Sequence, residues 1–237
     1  MGPTEAVPSS GPEAGAGSGP EREFTGALEG RRGGGRIMFA FLTGLGLAGA
    51  AGLNAYIPIL VVGLLGRYTE LVVLPGEFSW MGNGWVLAGL SVLLLAEMVL
   101  DKVPVVDSIN DAVMTLVRPA AGGAATAATL AAGELDSGLG TDPASLQEHP
   151  WVSWVPGVLV ALAVHVIKTL VRPIANTGSL GAAAPVLSTA EDGLSLGLSL
   201  LALLAPVLAL LLLLALLYAA FRLLRRVRRR RRAASPG

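Results

Sequence analysis

The stretch that decides the fold is residues 194–220, LSLGLSLLALLAPVLALLLLLALLYAA. It carries no charged residue and exceeds the roughly 20 apolar residues that an α-helix needs to cross a bilayer. The rest of the chain has a similar character: of its 237 residues, 53% are hydrophobic and 14% are charged. Typical soluble domains carry about 25% charged residues. The sequence therefore predicts an all-α integral membrane protein.

Apolar segments recur along the chain, and their lengths predict about six transmembrane helices. The segments cover residues 37–66, 84–100, 112–132, 152–171, 174–190 and 193–221. Two stretches, 120–132 and 174–190, are short and rich in Ala, Gly, Ser and Thr. Such residues suit the inside of a helix bundle, and composition leaves open whether these two stretches span fully or re-enter.

Both ends of the chain differ from the apolar middle. Residues 1–36 are rich in Gly, Pro, Ser, Ala and Glu, and such a composition predicts a disordered tail because it buries too little apolar surface. Residues 222–237 hold a cluster of Arg. The predicted organisation is therefore a disordered tail over 1–36, a helical membrane domain over 37–221 and a basic cytoplasmic tail over 222–237.

The charges between the segments predict an orientation. If all six segments cross, nearly every Lys and Arg falls on the side of the two termini, whereas residues 134–150 on the other side carry no Lys or Arg. The positive-inside rule then places both termini in the cytoplasm. We expect a multi-pass protein of the plasma membrane, the inner membrane of a bacterial cell, with the Arg cluster at 222–232 contacting anionic lipid rather than nucleic acid.

A short repeat is the most informative pattern. Residues 115–121 read TLVRPAA and residues 169–175 read TLVRPIA, so six of seven positions are identical. Because each copy follows an apolar segment and precedes a small-residue one, the match predicts a parallel internal repeat of a two-helix unit. Proline removes one helical hydrogen bond and disfavours helical geometry in the residue before it. We therefore expect each unit to be broken at its Arg-Pro pair, and a homodimer to supply the symmetry if one chain does not.

The repeat also suggests a binding site. An Arg beside the positive amino-terminal end of a new helix suits an anion, and we expect the polar groups around both copies to line one cavity open to the cytoplasm. The alternative is that Arg-Pro is only an interfacial anchor and helix stop, or that Arg pairs with carboxylates for assembly. The candidate substrate-binding residues are Arg118, Arg172, Asn176, Asn54, Thr115 and Thr169.

Four titratable residues are candidates for coupling to protons or cations, because ionisable groups within membrane helices usually face a cavity or a partner. They are Glu97, Asp101, Asp111 and His165. For Asp101 a solvated loop is the alternative. Residues 188–192 are expected to form an exposed turn on the opposite side. The chain has no Cys and matches no catalytic, metal-ligating or nucleotide-binding motif, so we predict no catalytic residue, no metal site and no cofactor.

Three motifs carry a resemblance to a known family. Residues 52–58 read GLNAYIP, residues 100–111 read LDKVPVVDSIND and residues 172–179 read RPIANTGS. In these motifs the chain resembles a family of small prokaryotic membrane proteins catalogued as a domain of unknown function, DUF4126, over roughly residues 39–217. The resemblance implies a polytopic membrane protein and assigns no activity.

The sequence favours one function and leaves two alternatives. A repeat, broken helices and short small-residue segments are typical of transporter sites, so we predict a transporter or channel for a small solute or ion. A membrane enzyme or flippase that holds a lipid phosphate with the Arg pair is the second reading. A scaffold that does not transport is the third.

Overall fold

A computed structural model describes residues 20–74, 76–101, 104–137, 150–178 and 183–233. The described residues form helices joined by short connections, with no strand among them, which confirms the predicted all-α class. Its elements are α1 (Pro20–Leu53), α2 (Tyr56–Tyr68), a 3₁₀ helix (Gly76–Gly82), α3 (Gly84–Leu100), α4 (Pro104–Ser137), α5 (Pro150–Gly178), α6 (Ala183–Leu204) and α7 (Pro206–Ala233).

Within the described ranges, four helices are long and apolar enough to cross a membrane: Gly35–Leu53, Trp151–Ile174, Ala184–Leu204 and Pro206–Val227. A fifth results if the 3₁₀ helix and α3, bent by 57°, form one broken span. The chain thus has the helices of a multi-pass membrane protein. The count is four to five, and the predicted six is not reached.

The predicted segments differ from the helices in three places. Segment 112–132 lies inside the longer α4, which is not among the candidate spans. Segment 174–190 is no single helix, because it holds the end of α5 and the start of α6. Segment 193–221 is divided at Ala205, where Pro206 takes the first position of α7. A proline is favoured there because the first helical N–H needs no partner within the helix.

The two Arg-Pro pairs do not break their helices. Pro119 lies inside α4 and Pro173 lies inside α5, and both helices continue past them. The prediction of a break at Arg-Pro is therefore wrong. The physical reason is that each proline removes only one backbone donor, and neighbouring helices and Thr hydroxyls can satisfy the freed carbonyl inside a membrane bundle.

The central helices α1, α4 and α5 alternate in direction. Along α4, Arg118 contacts His165, Gly122 meets Ala161 and Gly123 meets Trp154, so α5 runs antiparallel to α4. The two copies of the TLVRP motif consequently point in opposite directions. The predicted parallel repeat is wrong, because sequence identity alone does not fix the direction in which a helix packs.

Very close backbone approach holds these three helices together. A Cβ on Gly122 would lie 2.5 Å from the Cβ of Ala161, and one on Gly44 would lie 2.7 Å from Oγ1 of Thr129. The Thr126 hydroxyl lies 3.0 Å from the Gly44 carbonyl oxygen, which belongs to α1. The small-residue stretch after Pro119 therefore lies in the bundle interior, as its composition predicts, because only small side chains permit this spacing.

Helices α6 and α7 meet at a sharp turn beside α1. The Ser195 hydroxyl donates to the Ala50 carbonyl at 2.9 Å, and a Cβ on Gly46 would lie within 3.3 Å of both Ala202 and Ala209. Further along, Gly49 packs against Leu213 of α7. Helix α6 thus runs antiparallel to α1, and α7 runs parallel to it.

This packing gives the bundle two ends, named here by the residues of α1 that lie there. The Gly35 end holds the start of the first candidate span and the turn at Ala205, and the Leu53 end holds the basic end of α7. Because α1 and α7 run in the same direction, the described ends of the chain lie at opposite ends of the bundle. This disagrees with the prediction that both termini face one side, which depends on an even number of crossings, and the predicted six crossings are not confirmed among the described helices.

The helices also extend into both predicted tails. Helix α1 begins at Pro20, so it includes residues 20–36 of the predicted tail, and residues 1–19 lie outside the described part. Helix α7 continues to Ala233. On it, Arg225 stacks over the ring of Phe221 at 4.2 Å and Arg222 lies over Tyr218 at 5.8 Å.

Candidate functional site

Charged side chains from four helices meet inside the bundle at its Leu53 end. The helix α3, with its C-cap residue, contributes two carboxylates, α4 contributes a carboxylate and an Arg, α5 contributes two cations and α6 contributes one carboxylate. We call this set the ion-pair network, and its members are Glu97, Asp101, Asp111, Arg118, Lys168, Arg172 and Glu191.

Arg118 lies at one centre of the network and is fully buried. Its Nη2 atom donates to Oε1 of Glu97 at 2.8 Å, and its Nη1 atom donates to Oδ1 of Asp111 at 3.0 Å. Asp111 is two helical turns before Arg118 on α4, which places both on one face. The guanidinium of Arg118 therefore links α3 to α4, and it has no contact with solvent.

His165 accepts a hydrogen bond from the same guanidinium. Its Nδ1 atom lies 2.8 Å from Nη1 of Arg118, and its Nε2 atom lies 3.0 Å from the Thr115 hydroxyl. Arginine only donates, so Nδ1 is the acceptor and the ring carries its proton on Nε2. The Thr115 hydroxyl then accepts from Nε2 and donates to the Asp111 carbonyl at 2.9 Å. In this arrangement His165 is a neutral residue that orients Arg118.

Arg172 forms the second centre of the network. Its Nε atom donates to Oε1 of Glu191 at 3.2 Å and its Nη2 atom contacts Oε2 of the same carboxylate, the two-pronged geometry that suits a planar guanidinium. Nη2 also donates to Asp101 at 3.1 Å. This pairing ties α5 to α6 and to the end of α3.

Lys168 connects the network to the end of α1. Its Nζ atom donates to the Leu53 carbonyl oxygen at 2.9 Å and lies 3.1 Å from Glu191 and 3.6 Å from Asp101. A cation is favoured there because the carboxyl end of a helix is electrically negative. In the sequence Lys168 reads only as one of the basic residues that the positive-inside rule places on the cytoplasmic side. Lys168 lies three residues after His165 and four before Arg172, so all three share one helical face. This spacing is the feature of the sequence that indicates that Lys168 belongs to the network.

The junction between α1 and α2 lies beside the network. The buried Asn54 accepts hydrogen bonds from the backbone N–H groups of Tyr56 and Ile57 at 3.0 and 3.3 Å, and it donates to Asp192 of α6 at 2.9 Å. Pro58 has no N–H, so it cannot bond to the Asn54 carbonyl. The break between α1 and α2 at Asn54 is thus held by a side chain from α6.

The network carries more negative than positive groups. Its three cationic side chains face four carboxylates, and none of the seven side chains is more than 12% exposed. Among the described residues, three buried oxygens nearby have no hydrogen-bond partner: Glu97 Oε2, Asp192 Oδ2 and Ser188 Oγ. Unpaired charge in a low-dielectric interior is costly, so the excess carboxylate favours uptake of a proton or a small cation.

The structure brings together most of the predicted site residues. Glu97, Asp101, Asp111, Arg118, His165 and Arg172 meet, Thr115 contacts His165, and Asn54 lies next to the network through Asp192. They pack directly against one another as a closed cluster, so the predicted open cavity is not what this arrangement presents.

Two predicted residues do not join the cluster. Among the described residues, the Thr169 hydroxyl donates to the carbonyl of Val166 on its own helix, at 2.9 Å, and to no residue of the network. The side chain of Asn176 lies outside the described part. The expected exposed turn at residues 188–192 is also wrong. Helix α6 begins at Ala183, so Ser188 and Glu191 are helical and face the bundle interior.

The pairing limits what the site can hold. Both guanidinium groups are buried and face carboxylates at hydrogen-bond distance. Although Arg118 Nε has no hydrogen-bond partner among the described residues, an anionic substrate would have to displace a carboxylate to reach either Arg. The carboxylates in turn face cations. Across the described helices no group of three or more His, Asp or Glu side chains is arranged to hold a metal ion. The chemistry that fits is exchange of protons or monovalent cations among oxygens that are already paired.

Comparison with known proteins gives one match. The family model described as a domain of unknown function (DUF4126) matches residues 41–226. No curated protein and no solved structure is detectably similar to the chain. The match covers the network and all four candidate spans almost completely. The chain therefore belongs to the DUF4126 family.

Proposed function

We propose that this protein is a transporter or channel for a small solute or ion, and that the ion-pair network couples movement to a proton or cation. The observation that supports the proposal is the network itself, with seven charged side chains buried among helices of a membrane protein. Ionisable residues at such positions are costly and mark ion pathways or proton relays. A scaffold would gain no benefit from that cost.

The excess of carboxylates favours cations over anions. Glu97 has one oxygen paired with Arg118 and a second, buried oxygen without a partner among the described residues. That oxygen is a place for a proton to bind. A lipid-phosphate enzyme or flippase would need a guanidinium that is open to phosphate, whereas Arg118 is fully buried against Glu97 and Asp111.

The proposal includes an orientation. The network lies at the Leu53 end of the bundle, where the Arg-rich end of α7 also lies. By the positive-inside rule this end faces the cytoplasm, and the start of the first span faces outward. The exposed Arg225 and Arg229 on α7 would then contact anionic lipid headgroups of the plasma membrane.

A flux assay tests the function. Purified protein in liposomes that contain a pH-sensitive dye should acidify the lumen when a proton gradient is imposed, and Glu97→Gln should reduce this to the level of protein-free vesicles. Arg67→Ala is the matched control, because Arg67 is exposed and bonds only to the Gly82 carbonyl among the hydrogen bonds seen. Turnover of lipid phosphate without proton or solute flux would support the enzyme instead.

Thiol labelling tests the orientation, since the chain has no Cys. Gly35→Cys has open space around it and should react with an impermeant reagent in intact cells, whereas Arg229→Cys should react only after permeabilisation. Labelling of both in intact cells, or of neither, would place the two ends on one side and contradict the proposed orientation.

A further inference from the structure

We propose that the junction between α1 and α2 is a monovalent-cation site, which the Lys168 ammonium occupies in this structure and which a small alkali cation takes when the ammonium leaves. The inference rests on the proposed function, for which it names the ion class and the residue that competes with it. It concerns Lys168, Asp192 and Ser188, none of which the sequence motifs indicate.

The surroundings of the ammonium are those of a cation site. Three oxygens lie around Nζ: the Leu53 carbonyl at 2.9 Å, Glu191 Oε2 at 3.1 Å and Asp101 Oδ2 at 3.6 Å. One is the last carbonyl of a helix that ends inside the bundle, where the helix dipole is negative. In membrane transporters, unwound backbone carbonyls and carboxyl ends of broken helices coordinate Na⁺.

A second observation points to a ligand that is larger than the ammonium alone. Ser188 and Asp192 lie one turn apart on one face of α6, and Ser188 is only 1% exposed. The Ser188 hydroxyl and one Asp192 carboxylate oxygen are buried without a hydrogen-bond partner among the described residues. Asn54 donates to the other Asp192 oxygen at 2.9 Å. The Ser188 hydroxyl and the second Asp192 oxygen are thus two oxygens without a partner in the described part of the chain, and a cation would satisfy them.

The charges around Lys168 also favour a cation. The charged groups around the site come from every surrounding element: Glu97 and Asp101 from α3, Asp111 and Arg118 from α4, His165 and Arg172 on α5 itself, and Glu191 and Asp192 from α6. Helix α1 adds the negative end of its dipole. Five carboxylates against Arg118, Arg172 and a neutral His165 leave the site negative once the ammonium departs.

Competition for one position provides a coupling mechanism. The Lys side chain has four flexible methylene groups, so the ammonium can leave the Leu53 carbonyl without moving a helix. A cation that enters then replaces the same positive charge between α1, α3 and α6. The ammonium and the cation cannot occupy the position together, so binding of one releases the other.

The experiment removes the charge of Lys168 by substitution and supplies Na⁺ in its place. Lys168→Gln keeps the length of the side chain but not its charge. In detergent with choline chloride it should unfold at a lower temperature than the wild type. Replacing choline by Na⁺ at equal ionic strength should raise the unfolding temperature again, up to a plateau at high Na⁺ concentration. The wild type should respond equally to both salts. Equal stability of Lys168→Gln in the two salts would overturn the proposal.

A direct binding measurement covers the case in which Lys168→Gln is poorly folded in choline. Retention of isotopic Na⁺ by the purified full chain should be about tenfold tighter for Lys168→Gln than for the wild type if the ammonium fills the site in nine of ten molecules. Adding Asp192→Asn to Lys168→Gln should abolish this gain. Wild-type and variant proteins that bind Na⁺ equally would overturn the inference, whereas Na⁺ binding without any flux in liposomes would overturn only the proposed function.

Discussion

The two halves of α4 are held in the bundle by opposite means. Its first half carries Asp111 and Arg118. Arg118 reaches α3 through an ion pair with Glu97 and α5 through a hydrogen bond to His165, and Asp111 reaches α5 through an ion pair with Arg172. Its second half, residues 121–133, is almost entirely Ala, Gly and Thr and meets α1 and α5 through backbone contact. Lipid removes the hydrophobic drive between helices, so both van der Waals packing of small residues and polar contacts serve as glue.

This difference in packing determines which half of α4 can change its contacts with the neighbouring helices. There is no room for even a Cβ atom at Gly122, so α1, α4 and α5 can pack in only one arrangement there. At the ionic half, Asp101 lies 3.1, 3.6 and 3.9 Å from three different cations. A carboxylate with several partners at similar distances can exchange one for another at low cost. We infer that the small-residue half is the fixed frame and the ionic half is the part that moves.

The largest effect is expected from breaking the ionic half at its centre. Arg118→Met keeps a long side chain but leaves Glu97 and Asp111 without their closest cation. Removing one partner of a buried pair costs about 3–5 kcal/mol. The free energy of unfolding in detergent, measured by denaturant titration, should fall by that amount.

The double variant separates charge from packing. Adding Glu97→Gln to Arg118→Met removes one of the unpaired carboxylates, so part of the lost stability should return. If the double variant is as unstable as the sum of the two single ones, the Arg118 side chain acts through its volume and the ionic half is not held by charge.

The second-largest effect is expected from overpacking the small-residue half of α4. Gly122→Ala would place its Cβ 2.5 Å from that of Ala161, and overpacking of this kind costs about 1–3 kcal/mol. Gly197→Ala on α6 is the matched control, because no atom lies within 4 Å of its Cβ position. There Ala should stabilise by about 0.4–1 kcal/mol, since it restricts the unfolded chain. Unfolding measurements that give the two variants the same sign would contradict the rigid-frame interpretation.

The sequence was sufficient for the class of the protein and for much of its site. Long apolar runs can only be buried in lipid or in other helices, so the all-α membrane class follows from composition. Helical spacing alone puts Asp111 on the face of Arg118 and His165 on the face of Arg172. In the structure Asp111 contacts Arg118, and His165 and Arg172 are both buried. These predictions succeeded because they depend on contacts within one helix, where geometry is fixed by the backbone.

What the sequence missed depends on contacts between helices. Glu191 reads as part of a polar turn, yet it pairs with Arg172 because α6 folds back along α1. Lys168 reads as a positive-inside charge, yet it bonds to the end of α1. The repeat failed in the same way: identical segments predict identical local structure, but their surroundings are set by the direction in which α4 and α5 pack.

The smallest effect tests whether the two repeat copies are equivalent. Thr115 accepts a hydrogen bond from His165 across the α4–α5 contact, whereas the Thr169 hydroxyl bonds only to Val166 of its own helix. Thr115→Val keeps the shape but deprives the His165 N–H of its acceptor, so the free energy of unfolding should fall by about 1 kcal/mol. Thr169→Val should change it by less than about 0.5 kcal/mol. Equal losses at the two positions, measured by denaturant titration in one detergent, would mean that the motif stabilises each helix locally and that the link from Thr115 through His165 to Arg118 contributes nothing to the network.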